Sequence, residues 1–172
     1  MRKIRLTLAI AAAIAAVILL TAPIMACTSI PVSKSASADG SVMTAHTCDG
    51  WYDARTWVVP GAKHAATDTF KVYSGLLHSD KAEPKLLGEI PEAPETYTYF
   101  YAAYPYMNEH GVIMGETTIG QRTELRTTEG IMYIEILQIL GLQRAKTARE
   151  AIKVMGELAE KYGYGIGGEC LT

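Results

Sequence analysis

An apolar leader that stops at a cysteine constrains this chain more than any other feature. Residues 1–26 open with Arg2, Lys3 and Arg5, run apolar from Leu6 to Leu20 with only Thr7 intervening, and pass Pro23 before Ala26 and Cys27. A charged start, a short apolar middle and a small residue at the end form the pattern of an export signal, so residues 1–26 are expected to be a signal peptide. The protein would then be periplasmic, cell-surface or secreted. One rival is an uncleaved anchor, because the apolar run approaches the ~20 residues that span a bilayer. Pro23 and the abrupt change in composition at Cys27 oppose it. A second rival reads Ile24-Met25-Ala26-Cys27 as a degenerate lipobox, with Cys27 acylated and the protein a lipid-anchored surface binding module. Met25 fits that box poorly; for a signal-peptide cut, Ile24 is large where a small residue is usual three positions before it.

Cleavage between Ala26 and Cys27 would give one residue both a thiol and a free α-amine. The amine has an ordinary pKa of about 7.7–8, so a sizeable fraction is neutral and able to accept a proton. The thiol titrates at about 8.5. Together they form a base and a nucleophile on one residue, the logic of terminal-nucleophile catalysis. Neither half works while the leader is attached, which makes cleavage an activation step.

The remaining chain bounds what can surround such a residue. Net charge is −2, and without the three leader cations 13 basic side chains face 18 acidic ones, about −5. No basic run interleaved with aromatics is present, so nucleic acid is not an expected partner. Three cysteines, Cys27, Cys48 and Cys170, are an odd number for an exported protein and do not make a disulfide scaffold. Cys48 and Cys170 read as small core side chains, since thiols are usually buried. His46, Cys48, His64, His78 and His110 show no recognised ligand spacing, so neither metal nor other cofactor is expected.

Taken in order, residues 28–33 are strand-like, with Pro31 marking an edge or irregularity. Asp39-Gly40 supplies hairpin turn chemistry, and residues 42–47 form the return strand. A hairpin centred near 37–40 brings His46, Cys48 and Asp49 back beside Cys27. Trp57-Val58-Val59 is another short strand. Residues 61–95, with Pro84, Pro91 and Pro94, read as a loop-rich excursion with one strand near Val72. Ten tyrosines, five of them between Tyr97 and Tyr106, suit strands, and residues 96–104 are dense in β-formers. Asn108-Glu109-His110-Gly111 is a turn, followed by a strand over 112–118. Residues 129–145 predict a helix apolar nearly all round and therefore buried. Thr147-Ala148-Arg149-Glu150 is a capping box that starts a second helix, with Ile152, Met155, Leu158 and Ala159 as its apolar stripe. Gly163, Gly165, Gly167 and Gly168 lead into a strand at Glu169-Cys170-Leu171-Thr172. Strands, two helices and a new strand imply an α+β layered domain over 27–172, incomplete at its C-terminus and so expected to be inactive as an isolated piece.

Three stretches carry a resemblance. They are Cys27-Thr28-Ser29-Ile30-Pro31-Val32-Ser33-Lys34 with Ala38-Asp39-Gly40-Ser41-Val42-Met43 and His46-Thr47-Cys48-Asp49-Gly50; Tyr104-Pro105-Tyr106-Met107-Asn108-Glu109-His110-Gly111-Val112 with Gly115-Glu116-Thr117-Thr118; and Gly167-Gly168-Glu169-Cys170. Together they resemble the amino-terminal part of the family C69 dipeptidases, cysteine-type hydrolases similar to choloylglycine hydrolase and penicillin V acylase. The resemblance implies an αββα sandwich of the N-terminal-nucleophile type and hydrolysis of dipeptides or small amides through a thioester on Cys27. It places Asp49 beside the nucleophile and His46 where the wider group has arginine. A histidine titrates near 6.5, so any role His46 takes would depend on pH. The oxyanion-hole asparagine of the acylases falls near Glu116-Thr117-Thr118, where a Thr117 hydroxyl or a backbone amide would substitute. Glu116 is also a candidate for the substrate amine, and Asn108 for a secondary site element behind its turn role. Lys34 and Glu116 read equally as solvated charges. Membrane contact would come only through the leader or a lipid on Cys27, and no oligomeric state is implied.

Overall fold

The computed structural model describes residues 27–48, 55–74, 84–127, 129–165 and 168–172. The leader and Asp49 lie outside the described residues. The first hairpin forms where the turn chemistry places it. Strands β1 (Ser29–Val32) and β2 (Met43–His46) pair antiparallel, with Ser29 opposite His46 and Val32 opposite Met43. Gly40 takes a φ of +76°, a left-handed conformation that glycine adopts without a Cβ clash. The Asp39 carboxylate accepts the Ser41 amide at 2.9 Å and closes the turn.

Three further strands make a small sheet in the order β3 (Trp57–Val59), β6 (Tyr99–Tyr101), β7 (Pro105–Asn108). The excursion between β3 and β6 is not loop-rich. It holds a hairpin of β4 (Thr69–Ser74) and β5 (Lys85–Pro91), whose register shifts between Val72 and Tyr73 opposite Gly88. That bulge, with prolines at 84 and 91, masks the alternation that would announce β5. Strand β6 is shorter than its β-rich surroundings because the Thr96 and Tyr97 amides donate to the carbonyls of Ala62 and Gln143 instead of continuing the ladder. The strand expected from residue 112 begins only at Glu116: β8 (Glu116–Ile119) pairs with β9 (Gly168–Leu171), and Gly115 and Thr172 extend that ladder.

Helix α1 (Ile134–Arg144) is buried on nearly every side, as its apolar composition requires. It starts five residues later than expected. Gly130 lies where an added Cβ would meet the Gly163 backbone at 2.3 Å, and Met132 instead bridges to Tyr164. Close backbone contact wins over helix propensity there. Helix α2 (Ala148–Tyr162) has the expected capping box: Thr147 accepts the Glu150 amide, and Glu150 accepts the Thr147 amide. Its buried stripe is Ala151 and Met155, with Leu158 and Ala159 beside them. Ile152 is 69% exposed, one position off that face. Gly163, at φ +75°, ends the helix.

The core joins Ile136, Leu140 and Leu142 of α1 to Met132, Val72 and Met155. Each such side chain contributes roughly 1.5–3 kcal/mol by leaving water. The β8–β9 pair sits between two layers. On one face Leu171 packs on the helical core; on the other Ser29 Oγ meets Thr117 Oγ1 at 2.5 Å, and Thr44 Oγ1 lies 3.4 Å from Thr172 Oγ1. The fold is therefore mixed, with small antiparallel sheets and two helices, in keeping with an α+β class.

Candidate active site

The hairpin register decides which residues share the neighbourhood of Cys27. Beyond the Ser29–His46 pair, the Thr47 amide donates to the Thr28 carbonyl at 2.9 Å, and the Thr28 amide donates to the Thr47 hydroxyl at 3.0 Å. The ladder thus leads from His46 toward Cys27 and Cys48, both half-buried. Alternation puts Ser29 and His46 on one face, and that face lies on β8. An added Cβ at Gly115 would meet Thr172 Oγ1 at 2.9 Å and His46 Nδ1 at 3.1 Å, so glycine lets both side chains lie close to this backbone. Through Ser29, Thr117 stands two residues along the chain from Cys27.

A cleft of about 300 Å³ opens beside this junction, lined by His46, Cys48, Tyr104, Tyr106, Ile113 and Met114 among others. Burial pushes His46 below its ordinary pKa of 6.5, so at neutral pH the ring is uncharged. It offers a donor and an acceptor but not the permanent cation of an arginine. Tyr104 meets the ring edge-on, with centroids 6.0 Å apart. Tyr104, buried like Tyr99 and Tyr101, and half-buried Tyr106 wall the cleft. A larger groove, about 490 Å³, runs along Trp57, Phe70, Tyr73, Tyr99 and Tyr101. It holds no candidate reactive group.

Two candidates stand elsewhere than expected. Asn108 is only 2% exposed and uses its whole amide internally. Nδ2 donates to the carbonyls of Leu142 and Ala145 at 2.8 Å, and Oδ1 accepts the amides of His110 and Val112 at 3.0 Å. It ties the 108–111 turn to the C-terminus of α1 and has no capacity left for a substrate. Glu116 is 1% exposed, so it is not a solvated charge, unlike exposed Lys34. Its Oε1 is buried without a hydrogen-bond partner, and burial raises its pKa. Cys170 is exposed, not core, because alternation on β9 turns it away from Leu171 and the helices.

Glu116 belongs to a group that sequence patterning did not reveal. Glu169 on β9 is pushed up to about 7, first by burial and then by Glu116. Glu135, in the first turn of α1, also rises to about 7 through burial. A helix N-terminus favours an anion by about 0.3–1 kcal/mol, and desolvation outweighs that here. Tyr164 is raised to about 12, by burial first and then by all three carboxyls. The one sequence signal was Glu135, the single acid in a largely apolar helix. Among the described residues no group of side chains is arranged to hold a metal ion, and no helix is long and apolar enough to cross a membrane.

The sequence model of peptidase family C69 matches residues 26–172. No solved structure matches the chain.

Proposed function

This chain belongs to peptidase family C69, and from that premise we propose that it hydrolyses dipeptides through a thioester on Cys27, exposed as residue one when an export leader is removed. Membership in a peptidase family points to peptide-bond hydrolysis and peptide substrates; the finer reading rests on the junction. The observation that carries it is the β1–β2 register, which joins the Cys27 end of β1 to His46 while Ser29 holds Thr117 alongside. The layering of first hairpin, β8–β9 and helices supports an αββα sandwich of which this stretch supplies part.

In the proposed reaction the neutral Cys27 amine takes the thiol proton, directly or through one water. The thiolate attacks the peptide carbonyl, and the oxyanion takes a donor from the Thr117 hydroxyl or a neighbouring amide. The protonated amine then protonates the leaving nitrogen, and water resolves the thioester. Uncharged His46 orients rather than neutralises. With Glu116 buried and Asn108 committed, Asp49 is the carboxylate proposed for the substrate's free amine. Replacing Cys27→Ala in the processed protein should lower dipeptide hydrolysis by at least ~10³-fold, the scale of losing a covalent nucleophile. Wild-type rates from that variant would refute the assignment.

A further inference from the structure

Cys48 plays no part in this reaction, yet the hairpin sets it opposite the nucleophile. In the β1–β2 ladder Pro31 faces Thr44, Ile30 faces Ala45 and Ser29 faces His46. The Thr47 amide, donating to the Thr28 carbonyl at 2.9 Å, carries that register one pair beyond the strands. One step further, the facing residues are Cys27 and Cys48. The kind of pair follows as well. In an antiparallel ladder, pairs that exchange backbone bonds alternate with pairs that do not, and facing Cα atoms of the second kind stand about 4.5 Å apart. Thr28–Thr47 carries a backbone bond, so Ser29–His46, Pro31–Thr44 and Cys27–Cys48 are of the second kind. Pro31, which has no amide hydrogen, fits only there without losing a ladder bond. Alternation puts both cysteines on the face that carries Ser29 and His46. Disulfides span Cα separations of about 4.4–6.8 Å, so the register sets this pair within reach of a bond. Both residues are half-buried, and Cys48 lines the cleft beside His46, where a small reagent has access. Cys170 faces Thr117 on the β8–β9 ladder and stands outside the pair.

We propose that Cys27 and Cys48 form a reversible cross-strand disulfide that caps the nucleophile, with a small-molecule disulfide as the oxidant. The Cys27 thiol gives up its proton, and its sulfur attacks one sulfur of the reagent. The reagent's S–S bond breaks, and the departing half takes a proton and leaves as a thiol. Cys48, deprotonated in turn, attacks the Cys27 sulfur of the mixed disulfide and expels the other half as a second thiol. Two protein thiols are oxidised, one reagent disulfide is reduced to two thiols, and no atom of the reagent stays on the protein. A capped Cys27 sulfur cannot attack a carbonyl, and a thiol reductant reverses both steps. The export proposed above would bring the chain into the oxidising surroundings where such bonds persist. The effect on hydrolysis rests on the Cys27 reading; the bond itself does not, because it needs the two thiols and not the free amine.

The test is to incubate the folded mature protein with oxidised glutathione, alkylate it, and map its peptides by mass spectrometry without reduction. The peptides holding Cys27 and Cys48 should be recovered joined, lighter by two hydrogens than the separate thiol peptides together, with Cys170 outside the link. Cys48→Ser should stop the sequence at its first step and keep glutathione on Cys27. Dipeptide hydrolysis by the wild-type protein should fall at least ~100-fold on oxidation, the scale of blocking a covalent nucleophile, and return with dithiothreitol. In the wild-type protein, glutathione retained separately on Cys27 or Cys48, untouched thiols at both, or a link to Cys170 in place of Cys48 would each overturn the pairing. A joined pair that still hydrolyses dipeptides at the untreated rate would leave the bond standing, overturn its role as a cap and remove Cys27 as the nucleophile.

Discussion

The two faces of β8–β9 carry polar side chains in very different states. Toward the first hairpin stand Thr117 and Thr172, neutral hydroxyls that meet Ser29 and Thr44, with His46 against Gly115. Toward the helices stand buried Glu116 and half-buried Glu169, acids with raised pKa values. The strand is the same; the covering layer differs. A two-stranded hairpin leaves an open edge and a cleft, where groups keep exchangeable partners. A pair of apolar helices excludes water, and there the only remedy for a carboxyl is to keep its proton. The proposed chemistry draws on the first face alone.

The largest expected effect that sharpens this contrast lies on the helical side. Asn108→Ala strands two carbonyls and two amides in the core and should cost about 3–5 kcal/mol in denaturant unfolding. KM for whatever activity remains should not change; a rise in KM with intact stability would return Asn108 to the site. Glu135→Gln should act in the opposite direction. The Glu135 pKa is raised from 4.5 to about 7, so the folded state binds its proton more tightly than the unfolded chain does. Its favourable contribution is full below pH 4.5 and is lost as pH rises through about 7. At pH 8 the variant should therefore gain up to about 3 kcal/mol, and at pH 4.5 nothing. Equal gains at both pH values would show that packing, not charge, is responsible. The smallest effect is expected on the hairpin side. Thr117→Val removes the hydroxyl pair with Ser29 and should cost about 1 kcal/mol by thermal unfolding. If the hydroxyl also serves the oxyanion, kcat should fall ten-fold or more with KM little changed.

Legibility in the sequence followed the range of each interaction. The first hairpin was readable because Asp39-Gly40 fixes its turn within two residues, and with the turn came His46 beside the Cys27 end. The capping box at Thr147 and the burial of α1 were local in the same sense. The β4–β5 hairpin was not readable, because a bulge at Leu87 and the prolines at 84 and 91 hide its period. The start of α1 was misplaced because the Gly130–Gly163 backbone contact is set by partners far apart in sequence. Ile152 and Cys170 misled for a different reason: each is apolar, but its face is decided by neighbours one position away. The acid group was least visible. Glu116, Glu135 and Glu169 sit on three separate elements, and no spacing rule joins them before the chain has folded.

The central claim is that Cys27 becomes residue one with thiol and amine both free. Mass spectrometry of the N-terminal peptide of the mature protein, prepared from its native host, tests it directly. The account predicts a peptide that begins at Cys27 and carries no modification on either group. A peptide that still includes the leader, or one carrying a diacylglyceryl thioether on Cys27, would contradict it.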